Sequence, residues 1–368
     1  MDKFSGRTVL IIGHTGFKGS WLSAWMTTLG AKVIGLSLDI PTSPSNFEAS
    51  KIKSFVEDHR EDVRDLEAVK KVIKACKPDF IFHLAAQPLV RLSYELPLDT
   101  FSTNALGTAN ILDAIRILDK PVVAVMITSD KAYDNLEWKW GYRETDRLGG
   151  KDPYSASKGM AELVIRSYVE SFFNKPDSNI RLGIARAGNV IGGGDWAKDR
   201  IVPDCMQAWS KGDVVQIRNP KSTRPWQHVL EPLSGYLMLA VALTEETGLH
   251  GEAYNFGPSD DLNHPVSDLI DEMSQYWENV AWNDVSKNNE DLHEAGLLKL
   301  NCDKALSDLK WVPTLKFSET VSMTVEWYKE YYQKRETGSH FSMQGRTIKQ
   351  IGEYTQLAKK RRIFWAQI

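Results

Sequence analysis

A doubly wound α/β fold, with a parallel sheet covered by helices on both faces and a smaller lobe towards the C-terminus, is what the sequence predicts. Three observations carry this expectation. Short apolar runs alternate with segments of helical period through the first half of the chain. A glycine-rich turn joins the first run to the first helical segment. After about residue 187 the alternation loosens, and the 368 residues exceed one domain of about 150 residues.

The elements follow in order. Thr8–Ile12 is a short apolar run, the pattern of a parallel strand buried on both faces. Phe17–Leu29 has helical spacing and Ala31–Leu36 is a second strand. Leu66–Ala75 is a helix, and Phe80–His83 a third strand entered through Pro78-Asp79. Pro97–Leu118 is a long helix and Val122–Thr128 a fourth strand. Pro153–Phe173 is a helix with Asp152 as its N-cap and Pro153 in its first turn. Arg181–Ala185 is a fifth strand. A helix over Glu231–Thr244 and a strand over Ala253–Phe256 return the chain to the first domain, residues 1–186. Residues 187–228 and 259–335 form the second lobe. The last stretch, 336–368, is expected to be a basic surface tail or an oligomer arm, since 345–368 carries six basic residues and one acidic.

Composition excludes several function classes. With 42% hydrophobic and 25% charged residues the chain is neither disordered nor fibrous. A net charge of −3 gives no overall basic field for nucleic acid. Three scattered cysteines, Cys76, Cys205 and Cys302, fit a reducing compartment rather than a disulfide scaffold. No signal-peptide pattern precedes the first strand, and no apolar run reaches about 18 residues. A soluble cytoplasmic protein, without membrane or nucleic-acid partners, is the expectation. The histidines show no metal-ligand spacing, so no metal is expected.

The turn Gly13-His14-Thr15-Gly16-Phe17-Lys18-Gly19 sits between the first strand and the first helix. Gly13 permits the tight bend, Gly16 lets a pyrophosphate approach the backbone, and Gly19 lets helix and sheet pack closely. The helix N-terminus offers free N–H groups and partial positive charge to phosphates. This predicts a Rossmann-type dinucleotide site. Asp39 and Ser37, at the end of the second strand, are candidates for the adenosine ribose. The lack of arginine between Lys32 and Lys51 favours NAD over NADP. Asp62 either holds the adenine amino group or caps the next helix. His14, inside the turn, is expected to crowd the phosphates and weaken cofactor retention.

Tyr154 and Lys158, four residues apart, share one face of a helix that follows the fourth strand. A nearby ammonium stabilises phenolate, which suits a tyrosine that takes a proton from an alcohol being oxidised. The fourth strand ends in Thr128-Ser129-Asp130-Lys131. There a serine hydroxyl and two titratable groups reach the mouth of the same site. The alternatives are an ordinary helix pair and solvated turn charges.

These motifs, with His83-Leu84-Ala85-Ala86-Gln87, resemble the extended short-chain dehydrogenase/reductase family over roughly residues 5–335. Longer strings are similar to the branch of that family that dehydrates CDP-glucose. They are Gly13–Trp21, Gln87–Arg91, Glu137–Glu144, Arg186–Trp196 and Arg224–Val229. The resemblance implies NAD held by Gly13, His14, Gly16, Phe17, Gly19, Ser37, Asp39, Asp62, Val63, Leu84, Ala85, Ala86, Tyr154 and Lys158. It implies a C4 oxidation by Tyr154 with Lys158 and Ser129, and loss of water across C5–C6. Asp130 is then the acid, and Lys131 either the base or a stabiliser of the enolate. CDP-glucose is the implied substrate, with Arg224 on its pyrophosphate. Asn189 and Arg200 are further phosphate candidates, Gln87 and Arg91 candidates for the sugar, and His228 a further contact. Trp196 and Trp226 either wall the nucleotide or pack in the core. The resemblance also implies a homodimer or homotetramer built on the Pro97–Leu118 and Pro153–Phe173 helices. Two other functions compete. A 4-epimerase needs Tyr154 and Lys158 without an acid–base pair after Ser129, and a non-catalytic NAD-binding regulator needs neither.

Overall fold

Seven parallel strands form the central sheet of the computed structural model, which describes residues 1–258, 263–286, 297–338 and 341–367. They are β1 (Thr8–Ile12), β2 (Lys32–Ser37), β3 (Glu57–Arg60), β4 (Phe80–His83), β5 (Val122–Ile127), β6 (Ile180–Ala187) and β7 (Ala253–Phe256). Their spatial order is β7-β6-β5-β4-β1-β2-β3. All six pairings are parallel, so the expected doubly wound Rossmann-type sheet is present. The order reverses between β1 and β4, where Ile12 pairs with His83. At such a switch point the loops after neighbouring strands diverge and leave a crevice.

Six consecutive apolar residues make β5, and all are buried, as a strand covered on both faces requires. The edge strand β3, Glu-Asp-His-Arg, has no apolar pattern and was not expected.

Seven helices matter for the site: α1 (Phe17–Thr28), α2 (Leu66–Cys76), α3 (Gly107–Arg116), α4 (Pro153–Tyr168), α5 (Leu230–Glu245), α6 (Phe317–Thr337) and α7 (Gln344–Lys360). The long helix expected over Pro97–Leu118 is Pro97–Phe101, a π turn over Ser102–Leu106, and α3. The Pro153–Phe173 helix likewise ends in a π turn, Val169–Phe173. Asp152 caps α4 by accepting from the Ser155 N–H at 2.9 Å. α5 is apolar all round and lies under the sheet. Gly183 admits Leu239 and Gly235 admits the Phe256 ring, each where a Cβ would crowd the neighbour.

The C-terminal segment is not a surface tail. α7 packs on α1, with Tyr354 edge-on to Trp25 at 5.7 Å and stacked on Trp365 at 5.3 Å. Tyr354 donates to the Glu231 carboxylate at 2.8 Å, and Arg361 pairs with Glu319 at 2.6 Å. The basic run therefore covers a buried aromatic face, and part of its charge is paired.

Past β6 the chain forms three small two-stranded sheets. Val190–Ile191 pairs with Gln227–His228, Thr223–Pro225 with Asn263–Pro265, and Val215–Ile217 with Trp282–Asp284. Their buried residues join the sheet's apolar layer in one continuous core. None of the helices is long and apolar enough to cross a membrane among the described residues.

Candidate active site

The turn after β1 is built for glycine at two points. Gly13 has φ +93°, and a Cβ there would lie 2.7 Å from the Ala85 nitrogen. A Cβ on Gly19 would lie 2.0 Å from the Gly13 carbonyl oxygen. No side chain caps α1, whose N-cap is Gly16. The turn thus has the free helix end and bare backbone that a pyrophosphate requires, and its residues fit NAD.

His14 does not crowd that space. Its ring is fully buried and lies over Gly35, where a Cβ would stand 2.2 Å away. Nδ1 meets the Ser37 hydroxyl at 2.9 Å and Nε2 the Asp58 carboxylate at 2.9 Å. Burial lowers the His14 pKa, and the Asp58 carboxylate opposes it. Ser37 meets His14 at 2.9 Å and accepts from the Thr15 N–H at 3.3 Å, so it braces the turn. Asp39 is exposed at the end of β2. Asp62 binds the Arg64 guanidinium at 2.6 Å, while Asp65 caps α2. Val63 is buried against Gly107. Leu84, Ala85 and Ala86 form the half-buried loop opposite Gly13.

Beyond β5, the Ser129 hydroxyl donates to Asp130 at 2.8 Å and accepts from the Lys131 N–H at 3.2 Å. It also reaches the Tyr154 hydroxyl. Asp130 is 5% exposed, and burial raises its pKa. Its Oδ2 lies 3.0 Å from where a Cβ on Gly188 would be, so a side chain there would crowd the carboxylate. Tyr154 and Lys158 are buried on the inner face of α4. Burial brings the Lys158 ammonium down to about 8, with Glu162 opposing. The expected depression of Tyr154 is not found. Desolvation pushes its phenol up to about 12, outweighing the Ser129 hydrogen bond. Lys131 is half-buried beside Asp130.

Sequence reasoning missed the cation on the floor of this cluster. Lys18, in the first turn of α1, donates to the Tyr236 hydroxyl of α5 at 3.4 Å. Burial brings its pKa down to about 8, with Arg200 and Lys158 adding to the effect and Asp130 opposing it. Its sequence signal is its place inside the glycine turn.

The substrate candidates divide. Arg200 pairs with Asp195 at 2.6 Å and interacts electrostatically with Tyr154 and Lys18, so it belongs to the cluster. Arg91 pairs with Asp199 at 3.0 Å on the rim. Asn189, just past β6, and Arg224, in the short strand Thr223–Pro225, are half-buried. Four candidates turn away. The Gln87 amide is held by the backbone of Leu89 and the Thr100 hydroxyl, so it fixes its own loop. His228 is fully buried, edge-on to Trp21 at 5.9 Å, and burial lowers its pKa to about 3. Trp196 packs among Trp327, Tyr328 and Tyr331, and Trp226 is buried with its N–H on the His264 carbonyl. Both tryptophans are core.

The sequence model described as GDP-mannose 4,6 dehydratase matches residues 10–324. The chain belongs to that family. Within the GDP-mannose 4,6-dehydratase family, it is 48% identical over 332 residues to the CDP-glucose 4,6-dehydratase of Salmonella typhimurium, covering 89% of this chain and 92% of that protein. It is 24% identical over 268 residues to the UDP-glucose 4-epimerase of Mycoplasma genitalium, covering 68% of this chain and 76% of the relative. Among solved structures it superposes on a dTDP-glucose 4,6-dehydratase from Bacillus anthracis in complex with NAD. The TM-score is 0.72 at 18% identity, covering 90% of this chain and 99% of the other. That similarity shows the fold.

Proposed function

We propose that the protein is an NAD-dependent CDP-glucose 4,6-dehydratase that converts CDP-D-glucose to CDP-4-keto-6-deoxy-D-glucose for deoxysugar synthesis. The observation that carries this is the convergence of Ser129, Asp130 and Tyr154 at one sheet edge, in a chain nearly half identical to a protein of that name. NAD, when bound, would supply the ring that takes the C4 hydrogen with its two electrons and gives both back at C6, while C5 regains a proton. Tyr154 takes the C4 hydroxyl proton, supported by Ser129 and Lys158. The resulting ketone acidifies the C5 proton. Asp130, kept protonated by burial, gives its proton to the C6 hydroxyl so that water leaves. Lys131 removes the C5 proton or stabilises the enolate. Arg200 and Arg224 hold the pyrophosphate, where planar guanidinium groups bind phosphate bidentately. The described residues of 187–228 and 259–335 form the substrate lobe, and the reaction takes place in the cytoplasm.

We further propose a homo-oligomer. Leu98 is 81% exposed, Leu106 60% and Leu163 57%, and they lie on the Pro97–Arg116 segment and α4. Large apolar side chains gathered on two adjacent helices need a partner surface.

A panel of CDP-, dTDP-, UDP- and GDP-linked hexoses, incubated with the protein and NAD, tests the reading. Loss of one water from CDP-glucose is the expected result. Turnover of a different sugar nucleotide removes the CDP assignment and keeps the chemistry. No water loss with any of the panel leaves an epimerase or a regulator.

A further inference from the structure

The short turn that carries Asp130 and Lys131 is held at both ends by one buried ion pair. Glu162, on α4 one turn beyond Lys158, meets Arg186 of β6 at 2.7 Å through both carboxylate oxygens. Just before the turn, the Thr128 hydroxyl donates to the same carboxylate at 2.5 Å, and its N–H donates to the Ala185 carbonyl at 3.0 Å. Just after the turn, the Tyr133 hydroxyl accepts from Arg186 Nη1 at 2.7 Å and donates to Asn255 Oδ1 on β7 at 2.8 Å. Asn255 in turn donates to the backbone carbonyls of Tyr142 at 2.8 Å and Asn301 at 3.0 Å. Thr128, Tyr133, Glu162, Arg186 and Asn255 are all buried. Burial pushes the Tyr133 phenol up, so it keeps the proton it gives to Asn255. Its ring stacks on Tyr142 at 5.0 Å. Backbone bonds from the Gly149 N–H to the Ala132 carbonyl and from the Asp134 N–H to the Arg147 carbonyl, each 2.9 Å, hold the same stretch from the more exposed loop that enters α4.

We propose that Tyr133 is a positioning residue for the loss of water: its hydroxyl fixes the far end of the Asp130–Lys131 turn to the ion pair on the helix that carries Tyr154. The inference rests on the roles proposed above for Asp130 and Lys131. C4 oxidation uses Tyr154 and Lys158, which sit on α4, and Ser129, which follows β5 directly and is anchored through Thr128. Loss of water needs Asp130 and Lys131 as well, and these two lie between the anchors. Reacting groups have to be held to about 0.5 Å by their supporting residues, and a misplacement of about 1 Å costs up to about a hundredfold in rate. Hydrogen bonds among buried groups hold that tightly, because no partner can turn to water instead. The phenol oxygen has little freedom. It gives its one proton to Asn255 and accepts from a guanidinium whose other bonds go to Glu162 and the Glu144 carbonyl. Without that hydroxyl the near anchor stays and the far one is lost. Loss of water then slows, while the groups of C4 oxidation keep their places.

Tyr133→Phe removes the hydroxyl and keeps the ring on Tyr142. Turnover of CDP-glucose with added NAD is measured per active site in the full-length protein. Sites are counted by the binding of CDP, so a partly unfolded preparation does not pass for a slow one. CDP-glucose deuterated at C4 or at C5 then shows which step carries the loss. The expected result is a fall of about ten- to a hundredfold per site, with the C5-deuterated substrate slower than the unlabelled one and the C4-deuterated substrate equal to it. Tyr154→Phe, slowed at oxidation, gives the reverse pattern, and a merely structural loss gives neither change per site. Asn255→Ser removes the same hold from the other side and repeats the Tyr133→Phe pattern if the phenylalanine variant folds poorly. Unchanged turnover per site overturns the proposal, and so does a loss that deuterium at C5 does not reveal. A wild-type protein that forms no product from CDP-glucose removes the proposed function instead, whereas wild-type and Tyr133→Phe proteins of equal activity remove only the role of Tyr133.

Discussion

Tyr154 shows how far a single residue could be read. Its spacing from Lys158 and its place after the fourth strand were legible, because both depend on local periodicity. Its environment was not. The expected ammonium of Lys158 is not among the main influences on the phenol; desolvation, which depends on elements far away in sequence, raises it against the Ser129 hydrogen bond and the Arg200 charge. The role remains testable. Tyr154→Phe removes the proton acceptor and leaves the ring, so turnover of CDP-glucose falls by about 10²- to 10⁴-fold while the melting temperature is unchanged. A variant that keeps a tenth or more of wild-type turnover removes Tyr154 from the proposed role. His14 makes the same point from the other side. A histidine in a phosphate turn reads as an obstruction until Gly35 and Asp58 are seen to take its ring into the sheet. A lone glycine within a strand is the sequence signal for such an approach, and it lies 21 residues beyond the turn, too far for local pattern to connect them. Glu231 is a residue that no motif announced. It is fully buried, accepts from the Thr314 and Leu315 N–H groups and the Tyr354 hydroxyl, and desolvation lifts its pKa to about 7. A carboxyl whose folded pKa lies above the unfolded one stabilises fully below the unfolded value. That contribution fades as pH rises through the folded value. The native state therefore loses roughly 3 kcal/mol between pH 4.5 and 8 from this group alone. Glu231→Gln, which stays neutral, flattens that part of the curve, and urea titrations of both proteins across the interval measure the difference. Parallel curves would falsify the assignment.

At the scale of elements, strands buried on both faces were legible and edge elements were not. β5 is a continuous apolar run, and β1 and β4 are apolar but for Thr8 and His83 at their ends, the pattern of strands covered on both faces. β3 is polar because it closes the sheet, and its pairing with β2 is set by backbone register rather than by side-chain pattern. The tie between α4 and β6 was also invisible. Arg186 on β6 and Glu162 on α4 form a bidentate pair at 2.7 Å, both buried, and Thr128 donates to the same carboxylate at 2.5 Å. This pair fixes the helix that carries Tyr154 against the strand end that carries Ser129. Glu162→Gln leaves the guanidinium buried without its counter-charge and costs about 3–5 kcal/mol. Arg186→Met combined with Glu162→Gln costs less than the two single changes together, because neither charge is then stranded. Chemical denaturation of the four proteins gives the coupling directly. Additive losses remove the argument that the pair acts as a unit.

At the scale of the whole molecule, the doubly wound sheet was legible from alternation alone, whereas the C-terminal helix was not. Its charges face outward and its aromatic residues face α1, so composition described the exposed side and left the packed side unread. The exposed apolar surface presents the opposite case. Leu98 and Leu106 recur at helical spacing along the Pro97–Arg116 segment, and Met160 and Leu163 lie on the neighbouring α4, all pointing to solvent in the single chain. The π turn at Ser102–Leu106 ends on Leu106 and widens the helix within the stripe. Each leucine covered by a second copy contributes about 1.5–3 kcal/mol, and a two-fold arrangement covers each of them twice. Light scattering of the purified protein is therefore expected to give at least twice the chain mass of 41.6 kDa. Leu106→Asp together with Leu163→Asp places charges at the centre of the stripe and returns the mass to that of one chain. The sheet lies behind these helices, so its circular-dichroism signal stays as it was. The same substitutions loosen α4 at its outer face, so turnover falls although Tyr154, Lys158 and Asp130 are untouched. A wild-type protein that already runs at the mass of one chain rejects the interface, and the exposed leucines then need another covering partner.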